Sequence, residues 1–209
     1  MPLMPAMRTD EHFVQKHKSI LEFRNKEAVQ TIFLGDSLTR RWEDNSHLWE
    51  FYFSDFKPAN LGVGADCIEN LLWRIENGEI DNFEPKLILL LIGTNNLAKD
   101  GEETIIEGIL ETARLIRRKC TEARLVVFGL LPREKDENGN DCMARIKKIN
   151  RELNAKSALN NYQYEYFGDK LLRNNGMIDK AIMPDGLHLN EAGYKLAGPL
   201  IQEIIRKHL

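Results

Sequence analysis

Two short blocks at opposite ends of the chain contain the parts of an activated hydroxyl. Gly35-Asp36-Ser37-Leu38 follows the apolar run Thr31-Ile32-Phe33-Leu34, and Asp185-Gly186-Leu187-His188 precedes a helix-like tail. A serine can attack a carbonyl when a histidine takes its proton and an aspartate orients that histidine. Each residue also has a plainer reading. Ser37 stands at a strand-to-loop junction, where serine caps helices. Asp185 follows Pro184, where aspartate shapes turns. Of five histidines, His188 is the one with an acid at i−3 on a non-periodic loop. His12, His17 and His208 fall on amphipathic helices and are expected to be solvated, and His47 lies near a helix start.

Two further blocks could serve developing negative charge. Asn60-Leu61-Gly62-Val63-Gly64-Ala65-Asp66 misses a dinucleotide fingerprint because Cys67 replaces its third glycine. Such a loop can instead turn backbone N–H groups into a cleft. Gly93-Thr94-Asn95-Asn96 ends the most apolar run, where a side-chain amide either makes a turn or donates to an oxyanion. The serine block lacks the second glycine of Gly-x-Ser-x-Gly, since Thr39 stands there, which disfavours an α/β-hydrolase elbow.

Bringing the two ends together requires a fold in which apolar strands alternate with helices. Strands are expected at 31–36, 59–61, 87–92, 125–131 and 164–167. Helices are expected at 11–26, 46–53, 66–77, 102–120, 142–159 and 190–208, the last kinked at Pro199. Residues 133–141 read as a loop. This alternation predicts an α/β fold: three α-β-α layers around a parallel sheet of about five strands in flavodoxin-like order. Ligands of such sheets sit beyond the carboxyl ends of the strands, which is where Ser37, the glycine block and the asparagine block fall. Residues 1–209 read as one domain, with 1–28 a helical extension packed on it.

Composition narrows the function. Net charge is −3, the apolar fraction 43% and the charged fraction 29%, with no basic stretch to meet nucleic acid. The longest aliphatic run, Leu87 to Ile92, is far short of the roughly 20 residues of a membrane span. Cys67, Cys120 and Cys142 are scattered and odd in number, which suggests neither a disulfide framework nor zinc. The N-terminus lacks a cationic start and an apolar stretch of signal length, so the default expectation is the cytoplasm. A signal removed ahead of Met1 would redirect the chain to the periplasm or outside.

The four blocks, in this order and spacing, resemble the SGNH (GDSL-type) hydrolase superfamily over roughly residues 30–205. Leu72-Trp73-Arg74-Ile75-Glu76-Asn77-Gly78-Glu79 and Gly129-Leu130-Leu131-Pro132-Arg133 resemble the branch of platelet-activating-factor acetylhydrolase catalytic subunits and their bacterial relatives. The resemblance implies an esterase that needs no metal or cofactor and acts on a small acyl, above all acetyl, ester of a sugar or lipid-like alcohol. Ser37 would be the nucleophile, His188 the base and Asp185 its orienting acid. The oxyanion hole would comprise Ser37 N–H, the Asn95 amide and the N–H of Ala65. Ala65 stands where the family has glycine, so a methyl group enters at a backbone position suited to glycine. That departure motivates the alternative of an SGNH-fold binding or scaffold module with impaired chemistry. A flavin or nucleotide site on the same sheet is a weaker alternative, since no phosphate-loop lysine follows the glycines. A homodimer is left open: Trp49, Phe51, Tyr52 and Phe53 suit either an interface or a core. Trp42 is expected in the core, with Arg40 and Arg41 solvated.

Overall fold

The computed structural model describes residues 2–23 and 28–209. Five strands form one parallel sheet: β1 (Thr31–Gly35), β2 (Pro58–Gly62), β3 (Leu87–Leu91), β4 (Arg124–Phe128) and β5 (Gln163–Glu165), in the order β2-β1-β3-β4-β5. Gly35 pairs in register with both Gly62 and Leu91, so β2, β1 and β3 end level with one another. The order reverses between β1 and β3, and that is where such sheets open a crevice.

Alternation along each strand divides the core into two layers. Ile32, Leu34, Ile88, Leu90, Leu125 and Val127 face one side. Phe33, Leu87, Leu89, Val126 and Phe128 face the other. A strand with both faces covered must be apolar at every position, which is why these runs are unbroken. The first side packs against α1 (Glu11–Phe23), α4 (Ile68–Glu76), α5 (Glu102–Lys119) and α6 (Met143–Lys156). The second packs against α2 (Ser37–Arg40), α3 (Ser46–Phe53) and α7 (Glu191–His208). The expected helix 11–26 is thus seen to Phe23, and residues 24–26 lie outside the described residues.

The tail helix α7 runs on through Pro199 to His208. Proline removes the N–H that would meet the Lys195 carbonyl. Tyr52 Oη donates to that carbonyl instead, at 3.2 Å. The aromatic set divides by position on α3: Phe53 is buried, Trp49 and Tyr52 are half-buried, and Phe51 is 76% exposed. Trp42 is core, stacked edge-on against Phe53 and Tyr194. Arg40 and Arg41 are half-buried rather than solvated, with Arg40 bonded to Asp44 at 2.5 Å. All three cysteines are free. Among the described residues, no helix is long and apolar enough to cross a membrane.

Candidate active site

Ser37 is the first residue of α2, directly beyond β1. It does not cap that helix. Asp36 does, its Oδ1 accepting the Leu38 N–H at 2.9 Å. With the cap supplied by its neighbour, the serine hydroxyl is free to face across the sheet edge. Behind it, Tyr194 on α7 donates its hydroxyl to the Leu38 carbonyl at 2.8 Å, fixing the turn from the buried side. Gly62 lets the next strand end close in: a Cβ there would lie 2.4 Å from the Arg40 nitrogen.

His188 lies on the loop before α7, 151 residues from Ser37, and its Nε2 is 2.9 Å from Ser37 Oγ. Its Nδ1 is 2.7 Å from Asp185 Oδ2. A neutral imidazole carries one N–H, so donation from Nδ1 to the carboxylate leaves Nε2 as acceptor toward the serine hydroxyl. Asp185 Oδ1 also accepts the backbone N–H groups of His188 at 2.7 Å and Leu187 at 2.9 Å. Burial pushes the Asp185 carboxyl up, but these N–H donors and the imidazole outweigh it and hold the group at about 2. It is therefore ionised throughout the neutral range.

The other blocks converge on the same edge. Ala65 sits in an exposed turn after β2 with φ +62°, a left-handed conformation. That region costs a residue with a side chain about 1–2 kcal/mol, and alanine still offers an N–H. Asn95 follows β3 through Gly93, whose φ of +118° only glycine adopts readily. The Asn95 amide donates to the Asp66 carbonyl at 2.8 Å, which leaves its second N–H to give. Its neighbour Asn96 is engaged elsewhere. Fully buried, it accepts the Ile68 N–H at the start of α4 and donates to Glu69 and Asp100. The two asparagines are thus distinguished: one ties α4 to β3, and the other stands beside the turn at Ala65.

Several supporting residues escaped sequence reasoning. Arg133 donates to the Thr94 carbonyl at 2.8 Å, and the Glu134 N–H donates to the Gly186 carbonyl at 2.8 Å. The loop 133–141 therefore joins the asparagine block to the histidine loop. Arg74, fully buried on α4, bonds Asp66 Oδ2 at 2.7 Å, pairs with Glu79, and donates to the Leu61 carbonyl. A cation set between Leu71, Leu72 and Ile75 on α4 was the available signal. His17 was expected to be solvated, but its Nδ1 is 2.6 Å from the buried Glu79. His208 is likewise buried, 2.8 Å from Glu165. His12 is exposed.

Asp36 carries a consequence for pH. It is 1% exposed, and among the described residues its Oδ2 has no hydrogen-bond partner. Burial raises its carboxyl from 3.8 to about 7, the Leu38 N–H opposing only in part. Because the folded value lies above the unfolded one, this contribution to stability is complete below about pH 4 and is lost as pH rises through about 7. Asp36→Asn keeps an oxygen for Leu38 and removes the charge. The expected result is a Tm several degrees above wild type at about pH 8 and a much smaller gain at about pH 4.5, read by thermal melts. An equal shift at both values would contradict this.

Comparison with known proteins identifies the family of the chain and its fold neighbours. The family model for GDSL-like lipases and acylhydrolases matches residues 33–196. The human platelet-activating factor acetylhydrolase IB subunit alpha2 is 32% identical over 200 residues, covering 94% of this chain and 85% of the relative. The human alpha1 subunit is 32% identical over 183 residues, covering 85% and 75%. Among solved structures, a GDSL-like lipase of Bacteroides thetaiotaomicron superposes with TM-score 0.79 at 19% identity, covering 92% of this chain and 98% of that one. A Geobacillus acetyl-xylooligosaccharide esterase variant gives 0.64 at 12% identity, covering 85% and 94%. By its family model and its curated relatives, this chain belongs to the GDSL-like lipase/acylhydrolase family and is a carboxylic ester hydrolase.

Proposed function

We propose that the chain is a serine esterase of one catalytic domain that removes a small acyl group, acetyl above all, from a sugar or lipid-like alcohol. Ser37 Oγ attacks the ester carbonyl as its proton passes to His188 Nε2. The carbonyl oxygen becomes an oxyanion, received by the N–H groups of Ser37 and Ala65 and by the Asn95 amide. Collapse expels the alcohol, which takes the proton from His188. Water then gives a proton to the same nitrogen and its hydroxyl to the acyl carbon, releasing the acid and restoring Ser37.

The observation that carries this reading is the continuous line from Ser37 Oγ through the imidazole to Asp185, at 2.9 and 2.7 Å. The relatives' names support the acyl class: subunits of an acetylhydrolase and an acetyl-xylooligosaccharide esterase. The competing reading, a fold that binds esters without turning them over, draws on the methyl group at Ala65. A fluorophosphonate probe separates the two. One adduct per chain, mapped by mass spectrometry to the peptide containing Ser37, is the expected result. Folded protein that takes up no probe and releases no acid from acetyl esters would favour binding alone.

A further inference from the structure

The geometry points to Arg8 as a positioning residue for the oxyanion hole, acting through the peptide unit between Gly64 and Ala65. This rests on the proposed role of the Ala65 N–H. The described residues contain no cis peptide, so the Gly64 carbonyl and the Ala65 N–H lie in one plane and point in opposite directions. Arg8 Nη1 donates to the Gly64 carbonyl at 2.7 Å. A cation fixed on the carbonyl side sets the direction of the N–H on the other side. It also polarises the amide so that the N–H donates more strongly, as linked hydrogen bonds do.

The same Nη1 reaches Asp66 Oδ1 at 3.0 Å, whose backbone carbonyl accepts the Asn95 amide. Arg8 therefore braces two of the three oxyanion donors from one point. Arg8 is itself held by Asp10 Oδ2 at 2.9 Å and lies over the Phe13 ring, 5.3 Å from its centroid. The segment that carries it is pinned to α4: the Ala6 N–H donates to the Glu69 carbonyl, and Asn70 donates to the Ala6 carbonyl, each at 2.9 Å. Arg8 lies outside the family-matched residues 33–196. The clamp also suits the local conformation. Alanine resists φ +62° where glycine would accept it, so this turn has more need of an external hold.

Steady-state kinetics with p-nitrophenyl acetate, normalised to active sites counted with the fluorophosphonate probe, test the inference. Arg8→Ala should lower kcat about tenfold with KM within about twofold, since the oxyanion exists only in the transition state. Arg8→Lys, which returns a charge and a donor, should recover kcat to within about threefold of wild type. A role confined to folding would lower Tm and leave kcat per active site unchanged, which would overturn the proposal. Should Arg8→Ala not fold, Asp10→Ser carries the test. Asp10 Oδ1 accepts the Phe13 N–H at 3.1 Å at the start of α1; serine keeps an oxygen for that N–H and releases the outer end of the clamp, and a loss of about threefold in kcat is expected; wild-type kcat there would overturn the proposal. Activity surviving in Ser37→Ala would instead remove the underlying reading. An inactive Ser37→Ala beside a fully active Arg8→Ala would remove only the role of Arg8.

Discussion

Replacing Ser37 by alanine is expected to lower kcat for p-nitrophenyl acetate by about 10⁴–10⁶-fold while the protein stays folded. The fold should survive because the serine hydroxyl is not a structural group here. Asp36 caps α2, and Ser37 contributes only the first helical position, where alanine is a better helix former. The hydroxyl bonds His188 across the site, and His188 stays held by Asp185. The backbone N–H of residue 37 also survives the change, so the variant retains every proposed oxyanion donor and loses only the nucleophile. Members of a triad act as one unit, so adding Asp185→Asn to Ser37→Ala should cost little more. A folded Ser37→Ala protein with a few per cent or more of wild-type turnover would defeat the assignment.

The parts of this site that were legible in the sequence share a physical cause. A strand buried on both faces must be an unbroken apolar run, so its end is visible. Whatever polar residue comes next is delivered to the sheet edge. Ser37 and Asn95 could be placed that way, and His188 announced itself through the acid three positions before it. The turn at Gly64-Ala65 was marked by its glycines instead, because β2 carries Asn60 and lies at an edge of the sheet. The last strand, Gln163–Glu165, was the least visible because it is three residues long, lies at one edge of the sheet and is only partly covered. What could not be read were pairings between distant positions. His17 looks like a surface residue until Glu79, 62 residues away, is placed beside it. Ser37 looks like a helix cap until Asp36 is seen to take that role. The clamp by Arg8 crosses 56 residues and leaves no periodic trace at either end.

Arg74 offers the sharpest test of the hidden framework, because its side chain and those of Asp66 and Glu79 are all fully buried. Arg74→Met keeps the length and apolar character of the stem and removes the charge. Two carboxylates are then left in the interior with their main cation gone, a change that costs about 3–5 kcal/mol. For a chain of this size that is a fall in Tm of roughly 6–20 °C. The loss should depend on pH. Burial already raises the Asp66 carboxyl to about 6, with Arg74 as the largest opposing influence. Without Arg74 the folded value moves further above the unfolded one, so the proton is held more tightly and the penalty deepens as pH rises. Urea unfolding should therefore show a larger deficit at about pH 7.5 than at about pH 5. Arg74 also donates to the Gly35 and Leu61 carbonyls, at the ends of the strands that carry Ser37 and the Ala65 turn. The folded fraction of Arg74→Met should accordingly react more slowly with the fluorophosphonate probe than wild type. A deficit that is the same at both pH values would mean that the lost interaction is packing rather than charge.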